Sequence, residues 1–144
     1  MTEPPKKKLL KLSSMKVDLD KEREGDWEPA FDIDPAIKWY VRSTNYAPFK
    51  SARDAVNIRL SRKHGSSVPE DVQAEEFGKL AVQHLLLGWE GLAEDDETEI
   101  PYSKEKAQEI LTDPAYRLVR GSIYMTASRV GIGEAEFIGT GAKN

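Results

Sequence analysis

The sequence predicts a mainly helical α+β fold, in which a small N-terminal antiparallel β-hairpin or meander is followed by about four helices. Two segments rich in aromatic and β-branched residues, GDWEPAF and IKWYVRS, flank the turn-like stretch DIDPA, which is typical of paired strands. Beyond them, apolar residues recur at helical spacing between glycine, proline and serine signals. The length of 144 residues is that of one ordinary domain.

The chain divides into three parts by composition. Residues 1–14 combine two adjacent prolines with a lysine cluster and offer little to bury, so we expect a flexible basic arm. Residues 131–144 carry four glycines and are expected to form a flexible C-terminal tail. Residues 15–130 are then predicted to form a single globular domain.

The β-region is predicted to begin with a short strand, because MKVDLD alternates apolar and polar residues over positions 15–20. The two aromatic-rich segments then form the hairpin, and Pro29 in the first of them favours an edge strand. We expect the two tryptophans of the hairpin to seal the sheet against the helices. The predicted apolar contributors are Trp27, Phe31, Ile37, Trp39 and Val41.

Two helices are predicted after the hairpin. The first begins near Pro48 and is capped by Gly65, and the second begins near Pro69 and runs to Gly88. The outer face of the first is predicted to be basic through Arg53, Arg59, Arg62 and Lys63. The apolar face of the second is predicted to comprise Phe77, Leu80, Ala81, His84 and Leu87.

Two further helices have clear start signals. Ser103 is a candidate N-cap for a short helix over residues 104–111. Asp113 is a candidate N-cap for a longer helix with Pro114 in its first position, and Gly131 follows its end. The predicted buried stripe of this helix comprises Tyr116, Val119, Ile123, Ala127 and Val130.

Composition excludes several classes of protein. The chain has no cysteine, so disulfides and thiolate metal sites are ruled out. No apolar stretch is long enough to span a membrane, and the N-terminus lacks the apolar core of a secretory signal. We therefore expect a protein that acts in the cytoplasm of the cell that makes it, with no membrane partner.

The segment LLLGWEGLAEDDETEIPYS raises the question of a metal or catalytic site. Its acidic part lacks the glycine of a calcium loop, and a chain with two histidines and no cysteine is poorly suited to zinc. Six carboxylates on one short loop are expected to be hydrated and ionised, and His84 is expected to be a satisfied core histidine. We predict no enzyme activity, no metal and no cofactor.

Nucleic acid is a weaker alternative. Lysines of the basic arm and the basic face of the first long helix are suited to phosphate contacts. The net charge of −4 and the pI near 5.3 argue against nucleic acid as the main partner.

The order of motifs resembles a group of small phage proteins. The first half carries a G-x-W hairpin (Gly25, Trp27), a strand ending in Arg42, and Asn45 or Tyr46 leading to Phe49. The second half matches the pattern W-x-x-[LV], an acidic turn, [IVL]-P-[FY]-S and a short capped helix, although it lacks the glycine usual in that turn. The matching positions there are Trp89, Glu90, Leu92, Ile100, Pro101, Tyr102 and Ser103.

Over residues 17–125 the chain thus resembles the tail assembly chaperones of long-tailed bacteriophages. The resemblance implies a host-cytoplasmic protein that binds the aggregation-prone tape measure protein and helps recruit the major tail tube protein. It also implies absence from the mature virion. Self-association is a further candidate interaction. Two alternatives stay open, a minor virion structural protein of the tail or neck and a small nucleic-acid-binding regulator.

The candidate partner-binding residues are exposed or distinctive features of the sequence. We expect the acidic loop and the apolar pair of the tail to contact partners, with plain solvated surface as the alternative. For the tryptophan of the motif, core packing is the alternative. The candidates are Trp89, Glu94, Asp95, Asp96, Glu97, Phe137 and Ile138.

Overall fold

A three-stranded antiparallel sheet and five α-helices make up the computed structural model, which describes residues 7–132. This confirms the predicted mainly helical α+β class. Short 3₁₀ turns cover Leu12–Met15 and Pro114–Tyr116, and a π-helical turn covers Ala81–Leu85. The elements are α1 (Leu19–Glu24), β1 (Asp26–Ala30), β2 (Asp34–Val41), α2 (Ala47–His64), α3 (Glu70–Leu80), β3 (Leu86–Glu90), α4 (Lys104–Leu111) and α5 (Arg117–Ala127).

The strand predicted over residues 15–20 is wrong, because α1 begins at Leu19. The carboxylate of Asp18 caps this helix and accepts hydrogen bonds from the backbone N–H groups of Asp20 and Lys21, each at 3.1 Å. A capping aspartate favours helix initiation over an extended chain. Asp18 also ties this segment to the end of the described chain, since its N–H donates to the carbonyl of Gly131 at 2.6 Å.

The hairpin is confirmed. Strands β1 and β2 pair antiparallel, and β1 lies at an edge of the sheet, as Pro29 predicts. Cross-strand partners share a face, so Trp27 lies beside its partner Tyr40, with ring centroids 5.1 Å apart. Trp39 lies on the opposite, buried face. Of the two hairpin tryptophans, Trp39 alone therefore packs between the sheet and the helices.

The helix predicted to run to Gly88 ends earlier and changes into a strand. After α3 and the π-helical turn, β3 adds to the free edge of β2, with Trp39 opposite Trp89. An uninterrupted apolar run such as AVQHLLLGW does not distinguish a buried helix from a buried strand by its periodicity. The sheet is thus completed by a strand that follows two helices in the chain.

The core lies between the sheet and the helices. Three residues predicted to be buried are instead exposed: Trp27 by 41%, Phe31 by 63% and Tyr116 by 48%. Phe31 lies in the β1–β2 turn and Tyr116 in the 3₁₀ turn before α5, where side chains point to solvent. The largest buried side chains include Trp39, Val41, Phe49, Leu85, Leu86, Leu111, Ile123 and Val130.

The predicted caps are found where the sequence signals them. Gly65 ends α2 with a φ of +64°, and Oγ of Ser103 accepts a hydrogen bond from the N–H of Lys106 at 3.0 Å. Oδ1 of Asp113 accepts from the N–H of Ala115 at 2.9 Å. Here the predicted long helix begins as a 3₁₀ turn, and α5 itself ends at Ala127.

Candidate functional site

The acidic loop, residues 90–99, is a hydrogen-bonded turn between β3 and α4. The N–H of Ile100 donates to the carbonyl of Leu92 at 2.7 Å and closes the loop at its base. At its tip, Oδ1 of Asp95 accepts from the backbone N–H groups of Glu97 at 2.9 Å and Thr98 at 2.7 Å. The loop is therefore built around one of its own carboxylates.

The other carboxylates of the loop differ in what they contact. Oε1 of Glu99 accepts from the N–H of Gly91 at 2.8 Å, and Glu94 pairs with Lys106 of α4 at 3.0 Å. The backbone hydrogen bonds at the tip hold the pKa of Asp95 below its usual range. Within residues 7–132, the carboxylates of Asp96 and Glu97 accept no hydrogen bond and form no ion pair, so they face solvent.

The loop shows no arrangement suited to a metal. Among the described residues, no group of three or more histidine, aspartate and glutamate side chains is placed to hold a metal ion.

Across residues 7–132, no helix has both the length and the apolar character that crossing a bilayer requires.

Trp89 is a packing residue at the base of the loop. Its side chain is 6% exposed, and its indole N–H donates to the carbonyl of Ile100 at 2.8 Å. The rings of Trp89 and Tyr102 pack edge to face, with centroids 5.0 Å apart. The motif around the acidic turn is therefore held together by Trp89, which favours the core-packing alternative for this residue.

The predicted pair Phe137 and Ile138 lies outside the described residues.

The predicted basic face of α2 forms part of its contacts within the protein. The guanidinium of Arg59 donates two hydrogen bonds to the carboxylate of Glu76 on α3, at 3.0 and 2.8 Å. This contact lowers the pKa of Glu76 and joins α2 to α3.

A group of exposed apolar side chains lies where the β1–β2 turn meets α5. Oγ of Ser122 donates to Oδ1 of Asp32 at 2.8 Å, which fixes the turn against the helix. The guanidinium of Arg129 lies 5.8 Å from the ring centre of Phe31. We call this group the apolar patch; it consists of Phe31 (63% exposed), Ile33 (44%), Leu118 (73%) and Met125 (49%).

The apolar patch is not among the predicted features, because the sequence pattern predicts a core position for Phe31 and a single buried stripe on α5. A second stripe was visible: positions 118, 122, 125 and 129 recur at helical spacing beside the buried stripe. Leu118 and Met125 lie on this stripe on either side of Ser122. Their exposure is informative because it occurs next to exposed apolar side chains of the β1–β2 turn, and not as single scattered residues.

Comparison with known proteins identifies the family. A family model described as YdaY prophage protein matches residues 44–144, which is more than two thirds of the chain. The matched part contains α2 to α5, β3 and the acidic loop, and it leaves out the β1–β2 hairpin. No curated protein and no solved structure matches the chain. The chain belongs to the YdaY prophage protein family, which confirms the phage origin implied by its motifs.

Proposed function

We propose that this prophage protein is a non-enzymatic tail assembly chaperone that binds and solubilises the tape measure protein. Two findings support the proposal: membership of a phage-derived family and the ordered motifs shared with tail assembly chaperones. In this role the protein acts in the host cytoplasm, helps recruit major tail tube subunits and leaves before the virion is complete.

The apolar patch is the observation that carries the proposal. A chaperone for a long, aggregation-prone helical protein needs an exposed apolar surface that its client can cover. The patch offers an aromatic ring, a methionine and two branched aliphatic side chains at the junction of a turn and a helix. Methionine in particular adapts to clients of varied sequence. We therefore assign the first contact with the tape measure protein to this patch.

The acidic loop supplies the second part of the proposed contact. Asp96 and Glu97 are exposed and carry charges that no described residue neutralises. Such charges steer association and set orientation more than they raise affinity. We propose that the loop orients a basic segment of the client or of a tube subunit.

The test is co-expression with the tape measure protein of the same prophage, followed by measurement of the soluble fraction of that client. With the wild-type chaperone the client is expected to stay soluble. The double variant Phe31→Ser/Leu118→Ser should lose this effect, because it removes the two most exposed apolar side chains of the patch.

A matched control is available on α2. Ile58 is 54% exposed and lies on a helix outside the patch, so Ile58→Ser removes a comparable apolar side chain elsewhere. This variant should keep the client soluble. Equal loss in both variants would show that exposed apolar side chains anywhere on the protein have this effect, and would remove the patch from the proposal.

The same patch also suits a minor virion structural protein of the tail or neck, since a permanent subunit contact would bury it as well. Mass spectrometry of purified particles separates the two functions. The chaperone is expected in the lysate and not in particles, whereas a stoichiometric amount in particles would favour the structural role.

A further inference from the structure

A cleft between α2, α3 and α5 carries three arginines on an apolar base. Its volume is about 470 Å³, and we call it the arginine cleft. None of the predicted partner-binding residues within positions 7–132 lies in it. The residues that matter for its chemistry are Phe49, Arg53, Phe77, Arg117, Arg120 and Tyr124.

Arg120 is the most deeply placed of the three arginines. Its side chain is 12% exposed, and its Nη2 contacts Oε1 of Glu70 at 3.2 Å. Its Nη1 is buried and has no hydrogen-bond partner among residues 7–132. A buried guanidinium N–H without an acceptor is unfavourable, so a turn of this side chain toward the cleft to bind an oxygen ligand would relieve an unpaired donor.

The walls of the cleft are aromatic and are joined by ring packing and a hydrogen bond. The ring of Tyr124 lies 5.9 Å from that of Phe49, and its hydroxyl donates to the carbonyl of Phe77 at 2.6 Å. The guanidinium of Arg53 lies 5.6 Å from the ring centre of Phe49. Burial raises the pKa of the Tyr124 phenol, while the charges of Arg120 and Arg53 act in the opposite direction. Both guanidinium groups thus lie close to the apolar base.

The local charge balance indicates the net charge that a ligand of the cleft should carry. Glu70 pairs with Arg120, and Asp54 lies 3.4 Å from Arg53. Three guanidinium groups with two carboxylates leave one positive charge, which matches a singly charged carboxylate better than a phosphate dianion. A planar carboxylate also fits the fork of a guanidinium.

We propose that the arginine cleft binds a carboxylate attached to an apolar group, namely an acidic side chain or a chain terminus of a partner polypeptide next to an apolar residue. The carboxylate accepts hydrogen bonds from the guanidinium of Arg120, which turns toward the cleft on binding, and the apolar group packs on Phe77 and Tyr124. The surface charge of Arg117 draws the ligand in. The proposal does not rest on the tail assembly role.

The first experiment uses 3-phenylpropionate as the probe and follows backbone amide NMR signals of the full chain. The amides of Phe77, Gly121 and Tyr124 should shift in a saturable manner, with a Kd of about 1 mM for so small a ligand. The uncharged 3-phenylpropanamide should bind at least about tenfold more weakly, because a charged partner is lost. Equal binding of the amide, equal shifts with inorganic phosphate, or no binding of 3-phenylpropionate would overturn the proposal.

Two variants separate binding from folding. A Cβ added at Gly121 would meet no atom within 4 Å, so Gly121→Leu is expected to fold while its side chain fills the cleft and abolishes binding. Arg117→Gln, at an exposed position, should weaken binding severalfold. The control is Arg62→Gln, at an exposed position of α2 outside this cleft, which should bind as the wild type does. Unchanged binding in Gly121→Leu would contradict the assigned position.

Two dipeptides then distinguish the sources of the carboxylate. Acetyl-Phe-Glu-amide presents an acidic side chain, and acetyl-Ala-Phe with a free terminus presents a chain end. Tighter binding of either one supports the proposal and names the source. If neither shifts the amides of the cleft, a polypeptide carboxylate is not its ligand.

Discussion

Trp39, Ser122 and Asp32 form a line of hydrogen bonds that runs from the core to the β1–β2 turn. The indole N–H of Trp39 donates to Oγ of Ser122 at 3.0 Å, and that hydroxyl donates to Oδ1 of Asp32 at 2.8 Å. Trp39 and Ser122 are fully buried. One serine therefore satisfies the largest core side chain and also fixes the turn that presents the apolar patch.

Replacing Ser122 should destabilise the protein. In Ser122→Ala the indole N–H of Trp39 loses its acceptor inside the core, which should lower the free energy of unfolding by about 1–3 kcal/mol. Ser128→Ala is the control, because that exposed hydroxyl only donates to the carbonyl of Met125. Its effect should stay within about 0.5 kcal/mol. Urea unfolding measures both, and similar losses would show that the buried line of hydrogen bonds contributes little.

His84 gives a pH dependence with a defined sign. Burial, and then the positive charge of Arg42, lower the pKa of His84 from its ordinary value of 6.5. The unfolded state therefore binds more protons than the folded state between the lowered pKa and 6.5. The stability associated with neutral His84 is present above that window and is lost as the pH falls through it.

The measurement is the difference in unfolding free energy between the wild type and His84→Gln at several pH values. As the pH falls through the window, the wild type should lose unfolding free energy relative to His84→Gln. The reason is that only the wild type takes up a proton at this position on unfolding. A difference that does not vary with pH would contradict the predicted shift.

At the scale of elements, the sequence predicts what local chemistry determines. Ser103 and Asp113 begin helical segments and Gly65 ends one, because caps and left-handed glycines act within one turn of the chain. The sequence does not predict strand β3, because this strand is defined by its pairing with β2, which is distant in the chain. In the same way, the packing role of Trp89 depends on contacts with Ile100 and Tyr102, which only the folded structure shows.

The contact of α3 with α4 depends on Gly78. A Cβ at this position would approach the carbonyl carbon of Leu111 to 2.6 Å and the nitrogen of Thr112 to 2.9 Å. Both are backbone atoms that cannot rotate away, so Gly78→Ala should destabilise the protein by about 1–3 kcal/mol.

Gly121→Ala is the matched control, since it changes a helical glycine with open space around it. It should raise stability by about 0.5–1 kcal/mol through helix propensity alone. Denaturant unfolding measures both variants, and two changes of the same sign would contradict the packing of α3 on α4.

At the scale of the whole molecule, the described chain presents separate surfaces of different character. The apolar patch lies at the β1–β2 turn and α5, the acidic loop joins β3 to α4, and the arginine cleft lies among α2, α3 and α5. The sequence predicts the exposed charges of the loop because charge runs are local. It does not predict the patch or the cleft, because both are assembled from distant segments.

Charge reversal in the loop tests its role as a contact surface. Asp96→Lys/Glu97→Lys changes two exposed carboxylates and leaves Asp95, which supports the turn, unchanged. Binding to the proposed client should weaken, and the loss should be larger at low salt, where charge steering is strongest. Thermal unfolding serves as the control and should change little. Unchanged client binding would show that the loop only connects β3 to α4 and is not a contact surface for the client.

Size-exclusion chromatography with light scattering on the co-expressed chain and tape measure protein tests the chaperone function directly. We expect the tape measure protein to elute as a soluble complex with this chain, and we expect Phe31→Ser/Leu118→Ser to abolish the complex while Ile58→Ser preserves it. A tape measure protein that stays insoluble while this chain elutes alone would contradict the chaperone function.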